Sequence, residues 1–136
     1  MNLLRQIYLY LICLGAFLVV DFTWLGVVAR NFYREELGEL MADSTNWMAA
    51  FSFYLLFVVG IVLFVVNPAI QKESLGWSIG IGFLFGLIAY ATYDLTNLAT
   101  LANWSLKVTL VDLVWGGVLS ATVSLVGYLV GVNFLF

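Results

Sequence analysis

The sequence contains no histidine, a single cysteine (Cys13), a single proline (Pro68) and only 10% charged residues. Without histidine there is no imidazole for a haem, a histidine-rich di-iron centre or a mixed Cys/His zinc site. With one cysteine there is no internal disulfide. Five basic residues in no run offer no surface for nucleic acid. The scarcity of charge also excludes a soluble fold. A soluble domain is about half apolar and about a quarter charged, whereas this chain is 64% hydrophobic with a mean hydropathy of +1.07. A body of 136 residues leaves much of its surface exposed and cannot hide that excess. An integral membrane protein is what remains.

What is present is long apolar runs. Four of them, at about residues 6–29, 46–66, 75–101 and 106–132, each exceed the ~20 residues that carry a helix across ~30 Å of hydrocarbon. The breaks are polar. Arg30 and Arg34 end the first run, and Asn67-Pro68 followed by Gln71-Lys72-Glu73-Ser74 end the second, since proline cannot continue a helix interior. Asn103, Trp104, Ser105 and Lys107 mark the last turn. Short later connections make consecutive helices antiparallel neighbours, so the expected fold is all-α: a single membrane domain, residues 1–136, built as a four-helix bundle. The first run is not a cleaved signal peptide, because it is too long, contains Asp21 and lacks a small-residue cleavage site.

The one substantial connector, residues 30–45, places Phe32, Leu37, Leu40 and Met41 on a face away from Arg34, Glu35 and Glu39. This predicts a short helix lying in the membrane interface. Orientation is weakly marked. Arg5 and Lys72 lie on the face of the termini, against Arg30, Arg34 and Lys107 on the other, a small lean towards cytoplasmic first and third loops. Packing signals are clearer. Gly76/Gly80 and Gly82/Gly86 are small-xxx-small pairs that permit close helix approach in lipid. In the fourth run Asp112, Gly116, Ser120, Ser124 and Tyr128 recur every four residues, a stripe that faces the bundle while Leu110, Val114, Val118 and Leu125 face lipid.

Three aspartates, Asp21, Asp94 and Asp112, fall inside the runs, where a carboxyl group is costly and normally has a partner or a function. Asp21 lies ~13 Å of helix axis before Arg30, Asp94 ~10 Å before the end of its run, and Asp112 ~7 Å after Lys107. Alternating helix directions put all three in one leaflet. Val20-Asp21-Phe22-Thr23-Trp24-Leu25-Gly26-Val27 and Val111-Asp112-Leu113-Val114-Trp115-Gly116-Gly117-Val118 share the pattern V-D-x-x-W-x-G-V, with each tryptophan one turn from its aspartate. Tyr90, Asp94 and Asn97 share a face of the third helix, Tyr54 lies at similar depth, and Thr109 precedes Asp112 by one turn.

Three uses of these residues are open. The aspartates can fasten helices by hydrogen bonds to Asn97, Thr109, tyrosines or indoles. Alternatively they form an acid–base site in which one carboxyl keeps its proton as acid while another serves as base, acting on a membrane-soluble substrate without a cofactor. Or they relay protons in a small transporter. In the acid–base reading Asp94 and Asp112 are the catalytic pair, Asp21 tunes them, and Tyr90, Asn97, Trp24, Trp115, Thr109 and Tyr54 hold the ligand; no metal ligand set is present. The partners expected are a membrane lipid or lipid-like small molecule and, beyond it, a second copy or another membrane protein.

The third run ends in Tyr90-Ala91-Thr92-Tyr93-Asp94-Leu95-Thr96-Asn97-Leu98-Ala99-Thr100-Leu101. With Trp104, Val111-Asp112, Trp115-Gly116, and earlier Asp21, Trp24-Leu25-Gly26, Phe32-Tyr33, Leu37-Gly38 and Pro68-Ala69, this resembles a bacterial membrane-protein family, domain of unknown function 2177. The likeness covers essentially the whole chain. One departure is Ser105, where the family commonly has proline. The resemblance implies a small, multi-pass protein of the bacterial inner membrane and brings no established activity, cofactor or catalytic residue. Family members encoded near lipid-modifying genes tilt the reading towards lipid chemistry.

The formal charge of -3 is localised. Outside the three intramembrane aspartates the five basic residues face five acidic ones, Glu35, Glu36, Glu39, Asp43 and Glu73.

Overall fold

A computed structural model describes residues 2–136. They form α1 (Leu3–Thr23), α2 (Phe32–Leu37), α3 (Trp47–Ile61), α4 (Asn67–Gln71), α5 (Leu75–Thr100) and α6 (Leu106–Val130), with no strand among the described residues. Each long helix begins at a side-chain cap. Asn2 accepts from the Leu4 N–H at 2.8 Å, Asn46 from Ala49 at 3.1 Å, Ser74 from Trp77 at 3.0 Å and Ser105 from Val108 at 3.1 Å. These caps satisfy amides that the first turn leaves without a helical partner. Ser105 therefore caps the start of α6. Its hydroxyl also lies 3.1 Å from Glu36 Oε2. Ser105→Ala removes both contacts and is expected to cost about 1–2 kcal/mol of stability, measured by reversible unfolding in mixed micelles.

The helices join into four continuous runs long and apolar enough to cross a membrane: Leu3–Val28, Trp47–Gln71, Leu75–Thr100 and Leu106–Leu135. The second run is longer than the proline suggests. A π-helical turn, Val62–Val66, precedes α4 and places Pro68 near the start of a fresh α-segment, where its missing N–H is tolerated. The chain turns instead at Lys72 and Glu73, the latter with φ 50°.

α5 and α6 form the most extensive helix pair, and α1 and α3 close the bundle around Phe17, Val58, Ile61, Leu119 and Val123. Cys13 is buried and free, and it packs on Gly127. The expected α6 stripe is buried at all five positions, while Leu110, Val114 and Val118 are exposed to the lipid side and Leu125 is half-buried. The two glycine pairs divide. A methyl group on Gly82 or Gly86 would run into α6, whereas one on Gly80 would meet nothing within 4 Å and one on Gly76 only the Ser74 hydroxyl at 3.9 Å. Only Gly82/Gly86 is a packing motif. α5 turns that face, and not the Gly76/Gly80 face, towards its partner.

The connector contains the short helix α2, but its buried face differs from the expected stripe. Phe32, Tyr33, Glu36 and Leu37 are half-buried, while Leu40 and Met41 are exposed. Gly38, at φ 50°, ends the helix and rotates the following residues off that face.

Candidate functional site

The paired V-D-x-x-W segments meet. Trp24, at the start of a π-helical turn after α1, stacks on Trp115 of α6 with ring centroids 4.3 Å apart and planes 9° from parallel. Each tryptophan then serves the aspartate of the other helix. The Trp115 indole N–H donates to Asp21 Oδ1 at 3.3 Å. The Trp24 indole N–H donates to the Tyr33 hydroxyl at 2.9 Å, and Tyr33 donates to Asp112 Oδ1 at 2.5 Å. The Tyr54 hydroxyl lies beside the Asp21 carboxyl, and the Tyr54 ring packs against those of Phe17 and Phe22.

Asp94 is wholly buried, and neither of its oxygens meets an N–H or O–H donor. Its neighbour is the Asp112 carboxyl. Two carboxylates offer only acceptors, so that contact becomes a hydrogen bond only when one of them carries a proton. Asp112 is thus the hub. Tyr33 touches one side of it and Asp94 the other, and Asp21 faces the same cavity.

Asp21, Trp24, Tyr33, Tyr54, Tyr90 and Asp112 are among the walls of a cavity of about 390 Å³, which Trp115 and Trp104 help to close. No lysine or arginine lines it. A second cavity of about 290 Å³ shares Tyr90, Tyr93 and Asp112 with the first and extends past Ala89 to Phe53, between α3 and α5. Of the residues expected to hold a ligand, Trp24, Trp115, Tyr90 and Tyr54 line the larger cavity. Asn97 and Thr109 do not. The Asn97 side chain neighbours Tyr93. The Thr109 hydroxyl is used up, accepting from the Trp104 indole at 3.1 Å and donating to the Ser105 carbonyl at 3.0 Å. Among the expected catalytic residues, Asp21 and Asp112 face the cavity and Asp94 stands behind Asp112. Among the described residues, no group of three or more acidic or cysteine side chains is placed to hold a metal.

Tyr33 is the residue that sequence reasoning missed. It lies outside the apolar runs, in a connector, and contacts a residue 79 positions away. Burial first, and then the Asp112 carboxyl that accepts its proton, raise the Tyr33 hydroxyl far above the usual phenol range, against the opposing donation from Trp24. The phenol therefore keeps its proton and acts as a donor. The only available signal was the Phe32-Tyr33 pair on an otherwise charged short helix. A further tie holds α2 down. Glu36 meets Ser105, and Lys107 Nζ approaches Glu36 at 3.7 Å and the Phe32 ring at 5.9 Å.

The family described as "Predicted membrane protein (DUF2177)" matches residues 6–129. No curated protein and no solved structure matches the chain.

Proposed function

We propose, for a chain that belongs to the DUF2177 family of predicted membrane proteins, that it binds a lipid-like small molecule in its Asp21–Asp112 cavity, in a bacterial inner membrane, and converts it by acid–base chemistry. The carrying observation is the junction of the two cavities at Asp112. A polar, aromatic chamber meets a largely apolar groove that reaches the lipid-facing side at Phe53 and Tyr93. An amphiphile fits this division, with its polar end beside Asp112 and its chain in the groove between α3 and α5. Ligand sites commonly combine such an apolar body with a few placed polar groups.

The proton chemistry follows from the carboxyl pair. Asp112 meets the ligand, and Asp94 behind it, without a donor of its own, shares one proton with Asp112. When Asp112 takes a proton from the ligand, the pair goes from one proton to two. When Asp112 returns it, the one shared with Asp94 remains. Asp21, held by Trp115, fixes the local charge without entering the transfer.

Lipid profiling of a deletion strain complemented with wild type or Asp94→Asn tests this. A lipid species that accumulates in the deletion strain, disappears with wild type and persists with Asp94→Asn is the expected result. An unchanged lipidome in all strains overturns the conversion. Aspartate-dependent proton flux in reconstituted vesicles with no lipid change would favour transport instead.

A further inference from the structure

The cavity has a composition that selects charge. Two carboxyls line it, Asp94 adds a third directly behind, and no basic side chain reaches its wall. Lys107 is engaged with Glu36 and lies near the Phe32 ring, and it does not line the cavity. Most of the remaining wall is rings, among them Trp24, Trp104, Trp115, Tyr33, Tyr54 and Tyr90, with Leu25, Leu37, Met41 and Val108 between them. Aromatic faces carry negative charge density and attract cations, most strongly where water is excluded. Neither Asp94 oxygen meets an N–H or O–H donor, and Asp21 and Asp112 meet only neutral indole and phenol donors, so no cation of the protein balances the acidic wall.

Resting on the amphiphile reading above, we propose that the ligand is a cationic amphiphile, with a protonated or quaternary ammonium head seated among Asp21, Asp112 and the tryptophan and tyrosine rings. The head supplies the counter-charge that the helices do not. A phosphate-bearing head is disfavoured, because the wall offers no lysine or arginine to meet it and two carboxyls to repel it. The chain of the amphiphile takes the adjoining groove of about 290 Å³ beside Phe53 and Ala89. A quaternary head would be bound without proton exchange, while a protonated amine can also pass its proton to Asp112.

The site reports on its own occupancy, because three of the five tryptophans wall it. The full-length protein carrying Trp47→Phe and Trp77→Phe, in nanodiscs of neutral lipid, leaves only Trp24, Trp104 and Trp115 to fluoresce. It would be titrated with dodecyltrimethylammonium, with the uncharged analogue bearing a tert-butyl head, and with dodecyl sulfate. The expected result is saturable, one-to-one quenching by the cation, at least tenfold tighter than by the neutral isostere, with no saturable site for the sulfate. Asp21→Asn is expected to weaken the cation at least tenfold and to leave the neutral analogue unchanged. Equal affinity for cation and neutral isostere overturns the charge selection while leaving an amphiphile site in place. Absence of saturable binding by all three probes overturns the amphiphile reading and this inference with it. The comparison among probes is made on one folded protein and does not depend on the aspartate variant.

Discussion

Gly86→Ala is expected to disrupt the bundle, although it adds one methyl group to a helix. The new Cβ would stand 1.9 Å from the Gly116 carbonyl oxygen and 2.5 Å from Ser120 Cβ. The first of these is backbone in the middle of α6, which cannot rotate aside. Overpacking of this kind costs about 1–3 kcal/mol where side chains can yield, and here the α5–α6 axes must separate, so the upper end or beyond is expected. The damage spreads to the cavity, because Gly116 itself packs against the Tyr90 ring and α5 carries Asp94 to Asp112. Gly80→Ala is the matched control. It lies on the same helix and has no atom within 4 Å of the added methyl. There the better helix propensity of alanine is expected to leave stability unchanged or raise it by up to about 1 kcal/mol. Unfolding of both variants in mixed micelles, read by far-UV circular dichroism, checks the contrast. Equal stability of the two would mean that the helices do not approach as closely as described.

The second large effect is expected at the Tyr33–Asp112 contact. Tyr33→Phe removes the donor to Asp112 and the acceptor of the Trp24 indole at once. A hydrogen bond to a charged group contributes about 1.5–3 kcal/mol, or roughly 10–150-fold in an opening equilibrium. Because α2 is a short helix anchored mainly by Tyr33 and Glu36, this loss is expected to appear as faster hydrogen exchange at the amides of 33–37, with the α5 and α6 amides unaffected. Asp112→Ala, which removes the acceptor, is expected to produce the same local opening. In a double-mutant cycle the two changes should overlap rather than add, since each breaks the same contact. Additive effects would show that α2 is held by other groups. Release of α2 also uncovers the cavity, since Tyr33 and Leu37 form part of its wall.

Much of the fold was legible because a bilayer imposes simple rules on sequence. Composition alone demanded a membrane, run lengths gave four crossing helices, and a four-residue recurrence on α6 identified its buried face from Asp112 to Tyr128. The family motif around Tyr90 to Leu101 pointed to the family that matches residues 6–129. Local rules were less reliable where neighbours intervene. Pro68 read as a terminator, but a π-helical turn before it let the helix continue to Gln71. Two glycine pairs looked equivalent, yet only the one turned towards α6 is packed.

The candidate site divides in the same way. Helical spacing placed Asp21 one turn from Trp24 and Asp112 one turn from Trp115, and alternating helix direction placed the aspartates in one leaflet. Those are properties of single helices and their order. Three features depend on how the helices cross. The tryptophans exchange partners, Asp94 is covered by Asp112 instead of facing the cavity, and Tyr33 reaches across from the connector. The rotation of each helix about its axis, fixed by contacts such as Gly86 on Gly116, sets which carboxyl meets the cavity and which is hidden. Sequence spacing carries the position of a residue along its own helix. Long-range packing alone decides what stands opposite, because that contact energy is shared between residues far apart in the chain.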